Sequence, residues 1–200
     1  MANNKQEISF WKMVISLALV TLISSATLGV VYEVTKEPIA AAKLAKQIRA
    51  ISQVVPSYDN QPVDDMFKIA VDDQKEDSLE VFPAKKDGET VGWAIKSYSP
   101  KGYSGMIWVM VGLNTDFEIF NTYVLEHKET PGLGSKMTEP EFNNQFQEVD
   151  PSVFNLKVEK DGGDIDALTG ATITSRAFGD ALQRAFNSAE MNIKTHEPAQ

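Results

Sequence analysis

The chain has 200 residues, 42% of them hydrophobic, with 28 Asp and Glu against 19 Lys and Arg and a formal net charge of −9. That length holds one medium domain plus an accessory segment, and the acidic balance, with no basic cluster interleaved with aromatics, argues against a nucleic-acid partner. There is no cysteine to build a disulfide framework or a thiolate-held iron centre, and His127 and His196 are too far apart for a zinc pattern, so no protein metal site is expected.

In chain order, residues 1–12 form a short lead that ends in Phe10-Trp11-Lys12. Met13 to Val31 is a run of 19 residues without a charge, rich in Val, Leu, Ile and Ala, which is long enough to cross a bilayer core as a helix. Residues 13–32 are therefore expected to be a transmembrane helix, bracketed by the interfacial aromatics Trp11 and Tyr32. Ser16, Thr21, Ser24, Ser25 and Thr27 can return their hydroxyls to the helix backbone. A cleaved signal peptide and a buried core helix are the alternatives; the run exceeds a usual signal core, and Ala40-Ala41-Ala42 lies beyond the charged Glu33, Lys36 and Glu37.

Residues 33–56 read as a second, connecting helix, with Pro38 in its first turn and Ile39, Ala42, Leu44, Ile48 and Ile51 on an apolar face. Pro56 ends it, and residues 57–194 are expected to form the functional domain. Its first part, Ser57 to Asp77, is acidic through Asp64, Asp65, Asp72, Asp73, Glu76 and Asp77, and reads as a solvated surface because no calcium-loop pattern is present. Leu79–Pro83 and Thr90–Tyr98 then read as strands around the Lys86-Asp87-Gly88-Glu89 turn. Gly105–Leu113 and Phe117–Glu126 read as two more around Asn114-Thr115-Asp116. Short connections favour antiparallel pairing, so the fold class is α+β, an antiparallel sheet with flanking helices.

Ser99 to Gly105 connects the second and third strands and contains Gly102-Tyr103-Ser104-Gly105. Trp108, Met110 and Tyr123 on neighbouring strands read as core residues. In Glu129-Thr130-Pro131-Gly132-Leu133-Gly134, glycines and a proline set an unusual backbone path; the stretch is either a tight surface loop or one whose Leu133 lies on an apolar ring. Thr138-Glu139-Pro140-Glu141 reads as a capping box opening a short helix to Gln147. Phe154–Val158 reads as a further strand and Asp161-Gly162-Gly163-Asp164 as a turn.

The stretch Asp166-Ala167-Leu168-Thr169-Gly170-Ala171-Thr172 then leads into a helix, because Ile173, Ala177, Phe178, Ala181, Leu182, Ala185, Phe186 and Ala189 fall at helical spacing as far as Ile193. Thr172 sits at or next to that helix start. From the residues alone two assignments stand: Thr172 or Thr174 is an ordinary N-cap, or the helix start and its unpaired amides hold an anionic group such as a phosphate. Residues 195–200 form a polar tail.

Asp-x-x-Thr-Gly-Ala-Thr resembles the attachment sequence of FMN-binding domains, in which flavin mononucleotide is joined through its phosphate to the last threonine. Carried over by position, that residue is Thr172, with Thr169, Gly170, Ala171 and Ser175 beside the cofactor, and Asp166 is a recognition or metal-positioning residue for the modifying flavin transferase. Glu129-Thr130-Pro131-Gly132-Leu133-Gly134 resembles the second motif of the same domain, in the same order, and the loop carrying Tyr103 resembles one beside the cofactor. Over nearly the whole chain the sequence is similar to the G-subunit family of the Rnf ion-translocating ferredoxin:NAD oxidoreductase. The C-type flavin protein of the sodium-translocating NADH:quinone reductase is the alternative of like chemistry, and an anchored binding or sensory domain without flavin is the alternative of another class.

The resemblance implies a membrane-anchored electron carrier with covalent FMN, a redox subunit without complete catalytic activity alone. Its partners are the other subunits of a membrane complex and, during maturation, a flavin transferase. It also implies a single pass through the cytoplasmic membrane, with a cytoplasmic lead and an extracytoplasmic flavin domain. The local charge count opposes that orientation, since Lys36, Lys43, Lys46 and Arg49 follow the span while Lys5 and Lys12 precede it.

Overall fold

A computed structural model describes residues 10–71 and 74–194. The chain forms two compact units, Met1–Ala45 and Lys46–Gln200. Helix α1, Phe10–Val54, is continuous, with Pro38 inside it. This corrects the expected break between a span at 13–32 and a separate helix at 33–56. Proline removes one N–H from the ladder, and the alanine-rich Ala40–Ala45 on its C-terminal side has high enough helix propensity to carry the helix on.

Among the described residues, α1 is the one helix long and apolar enough to cross a membrane, and none of its most apolar stretch is buried in the protein. Thr21 and Thr27 donate their hydroxyls to the Leu17 and Ile23 carbonyls at 3.0 and 2.9 Å. Such bonds would satisfy these hydroxyls in lipid, which offers no partner of its own.

The second unit is built on a five-stranded antiparallel meander in chain order: β1 Phe67–Val71, β2 Gln74–Lys86, β3 Glu89–Gly102, β4 Gly105–Asn114 and β5 Ile119–Glu126. The four expected strands are present as β2 to β5. β1 lies inside the stretch expected to be only an acidic surface; only Ile69 and Val71 of its five residues are buried. Asp87 and Gly88 both take positive φ, 53° and 86°, the two-residue turn whose twist matches that of the flanking strands. At the β4–β5 turn, Asn114 Oδ1 accepts the Asp116 and Glu118 amides at 3.0 and 2.9 Å.

Alternation along β3 and β4 sends Trp93, Ile95 and Ser97, with Ile107, Val109, Val111 and Leu113, to one face of the sheet, and Ala94 and Met110 to the other. The first face is covered by a long helix, Thr172–Ala189, which continues through a π-helical turn, Glu190–Lys194; it is α3, after a short α2 at Pro140–Asn143. On the second face, Ala50, Ile51, Val54 and Val55 at and just past the end of α1 pack with Phe82, Ala84, Ala94 and Met110. There the backbones nearly touch, since a Cβ at Gly112 would stand 1.5 Å from the Val54 carbonyl oxygen.

Two buried serines on β3 place α3 along the sheet. Ser97 donates to the Ala181 carbonyl at 2.7 Å and Ser99 to Asp180 Oδ2 at 2.7 Å. Arg184 Nε donates to the Tyr98 carbonyl at 3.0 Å, and Lys101 pairs with Asp180 at 2.5 Å. With α3 held at these points, its first turn lies by the tip of the β3–β4 hairpin.

Of two other expected elements, the short helix before Gln147 forms without its capping box, and the strand at Phe154–Val158 does not form. Thr138 ends a 3₁₀ helix, Gly134–Thr138, and donates its hydroxyl to the Ser135 carbonyl at 2.9 Å. The capping box is therefore not made, and α2 is a single turn followed by a 3₁₀ turn, Asn144–Phe146. Phe154–Val158 is not a strand. Asn155 is bound by Asp164, through its amide to Asp164 Oδ2 at 2.7 Å and its carbonyl to the Asp164 amide at 3.0 Å. These bonds curl the segment and leave one bridge, Val158 to Ile165. The expected lead residues 1–9 and tail residues 195–200 lie outside the described residues.

Two consequences can be measured on the full chain in detergent by denaturant unfolding. Gly112→Ala drives a methyl group into a helix carbonyl that cannot rotate away; the expected loss is about 1–3 kcal/mol or more, and an unchanged midpoint would contradict the packing. At Asp180, burial pushes the carboxyl up, but the hydrogen bonds from Lys101 and Ser99 and the charges of Lys101 and Arg184 outweigh it, holding the pKa below its ordinary 3.8. A depressed folded-state pKa contributes stability above the unfolded value that is lost as the pH falls through the folded one. Asp180→Asn is therefore expected to cost about 1 kcal/mol or less at neutral pH after solvent screening, with the gap to wild type closing as the pH falls below 3.8.

Candidate functional site

Three loops meet at the N-terminal end of α3: the β3–β4 tip, the segment after β5, and the segment preceding α3. Together they enclose a cleft of about 540 Å³ lined by Tyr103, Glu129, Thr130, Leu133, Gly134 and residues 170–174, a size typical of small-molecule sites.

The second loop is folded by its own backbone. The Leu133 and Ser135 amides both donate to the Thr130 carbonyl at 3.2 Å, and the Gly132 amide donates to Ser135 Oγ at 2.9 Å. The third loop is fastened from both ends. Gln145 accepts the Asp166 amide at 2.9 Å and donates to the Asp166 carbonyl at 3.3 Å. Ser175 Oγ accepts the Leu168 amide at 3.0 Å and donates to the Ala171 carbonyl at 3.1 Å. Arg176 clamps Asp161 with two bonds of 2.6 and 2.9 Å, and this hydrogen bonding holds the Asp161 carboxyl below its usual pKa. At φ 75°, Gly170 occupies the left-handed region that lets the chain turn into α3, and Leu133 from the second loop comes within 3.5 Å of where its Cβ would be.

Glu129 joins the second loop to the β3–β4 tip and to the first turn of α3. Its side chain is buried, 5% exposed; Oε2 accepts the Thr174 hydroxyl at 2.5 Å and Oε1 the Ser104 amide at 2.9 Å. The carboxylate fits because residues 102 and 134 lack side chains: a Cβ at Gly102 would lie 2.9 Å from Oε1, and one at Gly134 2.7 Å from Oε2. Its own amide donates to His127 Nδ1 at 3.2 Å.

Thr172 is the first residue of α3. The residue before it, Ala171, has φ −136° and ψ 42° and supplies no side-chain cap. The first helical amide bond is donated by Ser175 to Ala171, 3.0 Å, so the amides of residues 172–174 stand ahead of the ladder. Thr174 gives its hydroxyl to Glu129, and the Thr172 hydroxyl has no partner among the described residues. The N-cap assignment for either threonine is therefore overturned.

Of the residues expected at the site, Tyr103, Glu129, Thr130, Leu133, Gly134, Gly170, Ala171 and Thr172 line the cleft. Pro131 and Gly132 lie in the same loop outside that lining. Thr169 and Asp166 line a second, smaller hollow of about 250 Å³ that shares Gly170 and Thr172 with the first. Ser175 is buried behind the loop. Trp108, Met110 and Tyr123 lie away from the cleft; Met110 and Tyr123 belong to the cluster under α1, and Trp108 stands 5.2 Å from the Tyr98 ring. Ser104, Gln145 and Ile173 are not among the residues expected there. The first two act through an amide or a side-chain amide that carries no motif. Ile173 fits the spacing of the helix's apolar face, yet it is 47% exposed in the cleft.

An unpartnered hydroxyl on the first residue of a helix, a small-residue turn beside it, and exposed Tyr103, Leu133 and Ile173 fit a phosphorylated, partly apolar cofactor. The class is that of FMN-binding domains, whose family model matches residues 102–187, a range that contains every residue lining the cleft. A model described as the RnfG N-terminal region matches residues 1–54, ending where α1 ends.

The G subunit of the ion-translocating oxidoreductase complex from Vibrio atlanticus is 34% identical, covering 88% of each chain. Its counterpart from Erwinia tasmaniensis is 36% identical over 85% of each. A solved structure of the C subunit of the Na(+)-translocating NADH-quinone reductase from Parabacteroides distasonis is similar at 21% identity and a TM-score of 0.48, covering 74% of this chain and 81% of that one. The chain belongs to the G-subunit family of the ion-translocating oxidoreductase complex, the first of the expected assignments.

The clasp can be tested through the glycine beside it. Gly134→Ala places a methyl group 2.7 Å from both Glu129 Oε2 and Thr174 Oγ1, and is expected to lower stability by about 1–3 kcal/mol. It should also raise hydrogen exchange at the Ser104 amide. Exchange unchanged at Ser104 would contradict a shared clasp.

Proposed function

We propose that the chain is the membrane-anchored electron carrier of its complex, with FMN joined by a phosphoester to Thr172 and the flavin domain on the extracytoplasmic side of the cytoplasmic membrane. The observation that carries this reading is the Thr172 hydroxyl: it lines both hollows, has no partner among the described residues and opens an 18-residue helix. The side of the membrane rests on the family resemblance.

Each group has a definable part. The amides of residues 172–174 and the helix dipole offset the charge of a diester, and Ala171 and Gly170 keep side-chain bulk away from it. Tyr103, Leu133 and Ile173 offer apolar surface to a planar ring. Pro131 and Gly132 shape the loop that presents Leu133, Ser175 holds the turn, and Thr169 offers its hydroxyl from the smaller hollow. FMN supplies the electron-carrying chemistry, while the protein supplies attachment, orientation and field.

Attachment needs a second enzyme. A flavin transferase using FAD would direct Thr172 Oγ at the flavin-side phosphorus. The pyrophosphate bond breaks, AMP departs, and the hydroxyl proton passes to a base of that enzyme. Asp166 is exposed in the smaller hollow beside Thr172, where the transferase can reach it.

Coexpression with a flavin transferase followed by denaturing electrophoresis tests the reading. A fluorescent wild-type band and a dark Thr172→Ala band are expected. A dark wild type, in cells that modify a known acceptor, would overturn it.

A further inference from the structure

The cleft carries one charged side chain. Among its lining residues there is no lysine, arginine or histidine, and Glu129 is the single carboxylate. Two neutral groups, the Thr174 hydroxyl and the Ser104 amide, bond to its oxygens, so neither cancels the charge. Both oxygens are hydrogen-bonded, which fixes the carboxyl group in one orientation. At 5% exposure in a wall closed by Gly102 and Gly134, that charge is poorly screened by water and cannot swing away.

We propose that Glu129 sets the electron affinity of the cofactor held in this cleft, acting as a fixed negative charge that keeps the reduction potential low. Each electron taken from the complex's donor adds one negative charge to the bound group unless a proton follows it. A carboxylate fixed in the cleft wall opposes that charge and leaves the oxidised form favoured. Burial and charge placement in the surrounding protein are established means of tuning a bound redox centre. Glu129 is thus a positioning residue through its clasp and an electrostatic one through its charge, and the two roles can be separated. Glutamine keeps the shape and one acceptor oxygen while removing the charge; aspartate keeps the charge on a shorter arm.

The inference rests on FMN being held at Thr172, so the test first records flavin content. Flavin-loaded wild type, Glu129→Gln and Glu129→Asp are titrated reductively against a reference dye. Thermal melts of the same samples report whether the clasp survives. Glu129→Gln is expected to raise the midpoint potential by at least about tenfold in the reduction equilibrium, about 59 mV for one electron, with Glu129→Asp remaining near wild type.

A loaded Glu129→Gln protein with an unchanged or lower potential overturns the inference and leaves the FMN reading intact. A wild type without flavin overturns the FMN reading itself. Should Glu129→Gln not fold, Thr130→Lys places a positive charge on the exposed rim of the same wall without touching the clasp. A rise in its potential supports field control from this wall, and no change overturns it.

Discussion

The arrangement of the site depends on a buried carboxylate that must be hydrogen-bonded to exist. Leaving a charged group inside a protein costs several kcal/mol unless it is satisfied, and a hydrogen bond to a charged acceptor returns about 1.5–3 kcal/mol. Glu129 is satisfied only when the β3–β4 tip and the first turn of α3 are both in place, through Ser104 and Thr174. These partners lie 25 and 45 residues away in the chain. The same two bonds therefore solve the burial problem and set the spacing of the cleft walls, which bring Tyr103 and Thr172 to one space.

The sheet makes this local solution rigid. Ser97 and Ser99 fasten α3 to β3 at successive inward positions, and Asp180, Lys101 and Arg184 repeat the link at the partly exposed edge. The end of α1 packs on the opposite face, against the backbone at Gly112. A cleft with one wall on a helix held at several points is better defined than one built on free loops alone. The loops contribute what rigid elements cannot: close backbone approach at Gly134 and a left-handed turn at Gly170.

Much of this was legible in residue patterns. The alternation in β2 to β5 and the helical spacing after Ile173 each reflect one dominant period, the run after Lys12 is apolar on all sides, and each led to a real element. Failures came where a tertiary contact overruled a local signal. Phe154–Val158 alternates like a strand, but Asp164 captures Asn155 and curls it. Thr138 and Glu141 have capping-box spacing, yet the hydroxyl of Thr138 serves a preceding carbonyl. β1 was hidden because only two of its residues face the core. The motif residues located the cleft, while the clasp was out of reach because its geometry joins side chains and amides from segments with no sequence relation.

The claim that binds fold to function is that Thr172, and not a neighbouring hydroxyl, carries the cofactor. Trypsin cuts after Lys160 and Arg176, so Thr169, Thr172, Thr174 and Ser175 fall in one peptide. Tandem mass spectrometry of that peptide from flavin-loaded protein decides among them. Fragment ions that place the flavin phosphate on Thr172 alone are expected, since Thr174 and Ser175 are committed to Glu129 and to the loop backbone. A flavin on any of the other three residues, or an unmodified peptide from fluorescent protein, would contradict the claim.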